Sequence, residues 1–125
     1  MFRAEDVKTV PMDVTLIDEP ITRQQLQEAA EQLFGDMIKA VVDVEKGVMA
    51  IGGELHADEE AFLLERDSKQ EDLWGINLYP ERDFAEMIEF DSMINIRPRQ
   101  NNRSRSVEVA SVREKIISIT RTLVQ

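Results

Sequence analysis

The run Met37-Ile38-Lys39-Ala40-Val41-Val42-Asp43-Val44-Glu45-Lys46-Gly47-Val48-Met49-Ala50-Ile51 decides how the chain reads. Ile38, Ala40, Val42 and Val44 fall on one face of an extended strand, because successive side chains alternate sides. Glu45-Lys46-Gly47 is a short turn with glycine where a positive φ is wanted, and Val48 to Ile51 returns. The stretch predicts an antiparallel hairpin.

Upstream, Asp13–Asp18 (DVTLID) alternates as a first strand, closed by Glu19-Pro20. Thr22 and Gln25 form a capping box for the first helix, and Ile21 and Leu26 stand at the places of a hydrophobic staple. Leu26, Ala29, Ala30 and Leu33 make its apolar stripe. Gly35 is its left-handed stop. Residues 1–11 read as a loose N-terminal arm, and 12–125 as a single α+β domain.

Downstream, Gly52-Gly53 breaks the hairpin's second arm. Residues 57–66 are helix formers with acids in the first turn, which suits the helix dipole. A strand over 60–65, turned through Asp67-Ser68-Lys69, is the alternative. Asp72–Tyr79 (DLWGINLY) predicts a strand with Trp74, Ile76 and Leu78 on one face, ended by Pro80. Ile88, Phe90, Ser92, Ile94 and Ile96 alternate strictly and predict one long strand, with Asp91 as the place for a bend and Pro98 as its stop. Residues 99–106 (RQNNRSRS) lack any apolar side chain and read as an exposed loop. A last helix starts near Ser111, with Glu114 completing a second capping box and Val112, Ile116, Ile119 and Leu123 as its buried stripe. The first six elements follow the ferredoxin-like order β-α-β-β-α-β. One strand and the C-terminal helix are additions. That order supports many unrelated functions.

The net charge of −10 is unevenly spread: residues 97–125 carry +5, and the rest of the chain −15. The average field disfavours nucleic acid and anionic membranes. The chain has no cysteine, no apolar run of membrane-spanning length and no apolar stretch at its N-terminus like that of a secretory signal, all of which favours the cytoplasm.

Three polar patches are candidates for chemistry. In Gly52–Glu60 (GGELHADEE), an extended chain would point Glu54, His56 and Asp58 to one side. One imidazole among carboxylates can act as an oriented base. Metal sites of the zinc or facial-triad kind ask for more histidines than the single one here, so no metal ligands are assigned. The alternative reading is that these residues merely begin a helix. Gly52-Gly53 precedes three acids that would repel a phosphate, so the glycines serve a bulge or a close backbone approach. In the second patch Trp74 belongs to the core, while Asn77 and Tyr79 sit on the opposite face, free to meet a ligand. In the third, Arg97, Arg99 and Arg103 could grip a carboxylate or phosphate in bidentate fashion. It has no interleaved aromatics for stacking on bases, so nucleic acid fits less well than a small anion. No nucleophile motif is present, and no catalytic residue or cofactor is assigned.

The strings GGELHADEE, SKQEDLWGINLYP and INIRPRQNNRS, with FGDMIKAVVDVEKG before them, resemble a small prokaryotic family catalogued only as a domain of unknown function. The likeness runs from about Asp18 to the C-terminus and implies no activity, cofactor or fold. Two departures stand out. Ala110-Ser111 stand where an acid-proline pair is expected, and Arg66-Asp67-Ser68 replaces an acid-glycine turn. The sequence therefore predicts a non-enzymatic binding or regulatory module, expected to be a homodimer. The alternative is an enzyme or sensor for a small anionic metabolite, using His56 and the Arg97–Arg103 loop.

Overall fold

The computed structural model describes residues 14–125. The expected arm over residues 1–11, and Met12 and Asp13 after it, lie outside the described residues. The strands are β1 (Thr15–Ile17), β2 (Ile38–Asp43), β3 (Val48–Ile51), β4 (Leu73–Leu78) and β5 (Ile88–Glu89). The helices are α1 (Arg23–Glu31), α2 (His56–Leu64), α3 (Phe84–Met87) and α4 (Ala110–Leu123), so the fold is α+β. Among the described residues no helix is long and apolar enough to cross a membrane.

The strands form one sheet in the order β1-β3-β2-β4-β5, with every neighbouring pair antiparallel. The β2–β3 hairpin stands as expected, with Gly47 in its turn at φ +72°, and Gly35 after α1 is left-handed at φ +97°. The ferredoxin-like expectation needs correction. Its first half is present, because β1 and β2 run parallel with β3 between them. Its second half is not: β4 lies beside β2 rather than returning beside β1.

That switch decides where the helices go. The connections β1-α1-β2 and β3-α2-β4 step across the sheet in the same direction, but they leave from strands of opposite sense. Right-handed crossovers then send their helices to opposite faces. The core divides accordingly. Leu26 and Ala30 of α1 and Ile116 and Leu123 of α4 pack with Ile38, Ala40, Val42, Met49, Ile51, Trp74, Ile76 and Leu78. On the other face Leu63 of α2 packs with Val41, Ala50 and Leu73. All of β4 is buried as a result.

Local expectations fare unevenly. The Thr22–Gln25 capping box is present. Leu33 lies beyond α1 and is exposed, so it leaves the expected stripe. Residues 56–64 are helix, which removes the strand alternative for 60–65. The long strand over 88–96 is a further correction. Pairing covers only Ile88–Glu89, after which Ser92 Oγ accepts from the Ile94 N–H at 3.2 Å and opens a 3₁₀ turn over Met93–Asn95. Phe90 packs against the first core and Ile94 against the second, because the chain wraps around the edge of β4 from one face to the other. Alternation in sequence came from that wrap. The second capping box is absent: α4 begins at Ala110, behind an uncapped Val109, so Ser111 sits inside the first turn. The 99–106 loop is not wholly exposed either. Asn102 is fully buried, and its amide donates to the carbonyls of Asn95, Ser104 and Ser106.

Candidate functional site

A cavity of 430 Å³ opens on the α2 face of the sheet. Its floor is a row across three strands, since Lys39 of β2 pairs with Asn77 of β4, which pairs with Glu89 of β5. Leu55, His56 and Ala57 wall one side as the chain enters α2, and Asp91–Ile94 and Arg105 wall the other. The collar is apolar: Leu55 and Met93 are 59% and 64% exposed at its rim. Gly75, in the middle of β4, carries no side chain and lets two lining residues, Ser92 and His56, pack close against the strand. A Cβ there would stand 2.6 Å from Ser92 Cβ and 3.2 Å from His56 Cδ2.

His56 opens α2 and turns inward, where it is buried. Its Nε2 lies 2.8 Å from the Ile76 carbonyl, which can only accept, so Nε2 carries the proton. Burial holds the imidazole below its ordinary pKa of 6.5, against the raising effect of the Ile76 hydrogen bond, and Lys39 adds to the lowering. The neutral ring therefore keeps Nδ1 as an acceptor. Asn77 donates through Nδ2 to Glu89 Oε1 at 2.9 Å, while its buried Oδ1 has no donor. Arg105 Nε donates to Asp91 Oδ1, and that bond holds the Asp91 carboxyl below the usual range. Lys39 makes no ion pair among the described residues; its ammonium lies 5.2 Å from the centre of the Phe34 ring.

Of the residues singled out in the sequence, His56 and Asn77 meet in this cavity. Tyr79 stands beside it, its hydroxyl donating to Glu89 Oε1 at 3.3 Å and its ring stacked under Arg82. Burial, then Glu89, raises the Tyr79 pKa. Glu54 and Asp58 are exposed and do not line the cavity, because the stretch is helical from His56 and not extended. Arg97 serves the backbone: it donates to the carbonyls of Gln70 and Leu73, and its guanidinium stacks 4.0 Å from the centre of the Trp74 ring. Trp74 belongs to the core on the other face. Arg99 and Arg103 are exposed. Thus His56 and the Arg97–Arg103 loop form no shared pocket.

Sequence reasoning passed over Lys39, Glu89, Asp91 and Arg105. Lys39 carried a signal, as the single charge inside the apolar run Met37–Val42. Glu89 and Asp91 stood in the polar places of an alternating stretch, which reads as a solvated face. Among the described residues no three His, Asp or Glu side chains converge as metal ligands.

The sequence matches the family described as protein of unknown function (DUF5674) over residues 15–123. The chain belongs to that family. No curated protein and no solved structure matches it.

Proposed function

We propose that this DUF5674 protein is a non-enzymatic binding module, and that its ligand is a small organic anion held in the cavity over Lys39, Asn77 and His56. The observation that carries the reading is Lys39, an ammonium without a carboxylate partner among the described residues, set in the floor of a cavity whose other cation, Arg105 in the wall, is already paired with Asp91. An anionic group would sit against Lys39. A hydroxyl or amide on the same ligand would donate to His56 Nδ1. The apolar collar of Leu55 and Met93 suits a ligand with some hydrocarbon. Among the described residues no carboxylate hydrogen-bonds the imidazole to orient it, which favours binding over base catalysis. The ferredoxin-like half-motif β1-α1-β2 is a scaffold for this site and no guide to its chemistry.

The test is a thermal-shift screen of the full chain with carboxylic acids and sugar phosphates, repeated on Lys39→Met, which keeps the stem and removes the charge. A ligand at about one hundred times its Kd stabilises by about 2.7 kcal/mol, or about 10 °C in Tm for a chain of this length. Loss of the shift in Lys39→Met supports the site, and a shift unchanged by that substitution removes it. The reading includes a homodimer, and light scattering that shows a monomer at high concentration removes that part.

A further inference from the structure

On the opposite face of the sheet a second cavity of 330 Å³ runs between α4 and the segment Phe84–Phe90. Arg113, Ile117 and Arg121 line it from α4, spaced four apart and therefore in one row on the helix. The two arginines leave the helix about 12 Å apart along its axis. Each guanidinium lies over a phenyl ring. Arg113 is 4.0 Å from the centre of Phe90 and Arg121 4.1 Å from the centre of Phe84. Between them the lining is apolar, with Ile88 facing Ile117.

Stacking uses the face of a guanidinium and leaves its N–H edge free, so the ring fixes the group without occupying its donors. Arg113 spends one nitrogen, Nη1, on the Val107 carbonyl and Ser106 Oγ. Arg121 spends none among the described residues, and neither arginine has a carboxylate partner there. The result is a groove with a cation at each end and hydrocarbon in the middle.

We infer that this groove is a second ligand site, for a linear organic dianion of the dicarboxylate class, with one carboxylate on Arg113, the other on Arg121 and the methylene chain over Ile88 and Ile117. Charge at both ends separates this ligand from the anion proposed for the Lys39 cavity, and the two sites lie on different faces of the sheet.

Titration calorimetry on the full chain with azelate, a dicarboxylate of comparable span, tests it. Saturable binding is expected, weakened about tenfold in Arg121→Gln, since a bidentate carboxylate contact is lost. Arg121 is exposed, so the variant keeps its fold. Nonanoate, which has one carboxylate, should bind correspondingly less well. Lys39→Met should leave azelate binding unchanged, which separates this site from the first. Amide shifts on adding azelate should map to residues 84–90 and 113–121. No saturable binding at millimolar azelate, equal binding by nonanoate, or azelate binding that survives Arg121→Gln intact would each overturn the inference.

Discussion

The side-chain amide of Asn95 takes both backbone groups of Gly75: Oδ1 accepts from the Gly75 N–H at 2.8 Å, and Nδ2 donates to the Gly75 carbonyl at 3.0 Å. One side chain thus does the work of a neighbouring strand where β5 is too short to reach. Arg97 does the same for the Leu73 carbonyl, and β5 takes over at Asn77. Asn95→Ala leaves two buried groups without partners and should cost on the order of 3 kcal/mol. A lower urea midpoint at an unchanged slope would show it; a midpoint within error of the parent would mean water replaces the amide.

Gly75 is needed for a different reason. The Ser92 side chain, through Cβ and Oγ, and the His56 ring both crowd the space where a Cβ would be, at 2.6 Å and 3.2 Å. Gly75→Ala must push Ser92 away and should destabilise by about 1–3 kcal/mol. It should also weaken any ligand of the Lys39 cavity, because Ser92 and His56 line that cavity. Retained stability together with retained binding would show that the wall moves freely.

How much of this was legible in the sequence depends on what each residue type reveals by itself. His56 and Asn77 stood out because a polar side chain among apolar neighbours on a strand or helix start has few other uses. The helix α1 and the β2–β3 hairpin were legible because capping and turn chemistry are local. The position of β4 was not. Whether it lies beside β1 or β2 depends on which edge buries more surface, and both choices satisfy the same hydrophobic pattern. Arg97 misled for a related reason: an arginine that grips two backbone carbonyls looks, in sequence, like one that awaits an anion. Asn102 likewise reads as loop surface, yet it ties three carbonyls together from a buried position.

Two buried groups on α2 should make stability depend on pH in opposite senses. Burial lowers the His56 pKa from 6.5, so the unfolded chain takes up a proton first as pH falls; stability present above 6.5 is lost on acidification through the lowered folded value. Glu59 acts in reverse. It is fully buried, its Oε2 accepts from the Gly53 N–H at 2.9 Å, and its Oε1 has no partner, so burial raises its pKa well above 4.5. Above 4.5 the unfolded chain releases that proton while the folded one keeps it, and stability declines with rising pH up to the raised value. Glu59→Gln keeps the shape and the Gly53 bond and should remove the decline that sets in above pH 4.5, leaving the His56 dependence below 6.5 by itself. Urea unfolding from roughly pH 5 to 9 would resolve this, and a parallel profile in Glu59→Gln would mean Glu59 is ionised when folded.

The turn after α2 offers a gain. Ser68 N–H bonds to the Leu63 carbonyl at 3.1 Å and Asp67 N–H to the Leu64 carbonyl at 3.3 Å, the paired bonds of a Schellman ending. Asp67 therefore holds the left-handed position, at φ +73°. An L-residue there is strained by about 1 kcal/mol, part of which the greater freedom of glycine in the unfolded chain takes back. Asp67 also lines a shallow cleft in which the carboxylates of Asp43, Glu45, Glu71 and Asp72 are interspersed with the ammonium groups of Lys46 and Lys69. Asp67→Gly should raise stability by about 0.5–1 kcal/mol, and Asp67→Val should lower it, because a β-branched side chain tolerates positive φ least. Equal urea midpoints for the two variants would show that this turn relaxes out of the left-handed region and stores no strain.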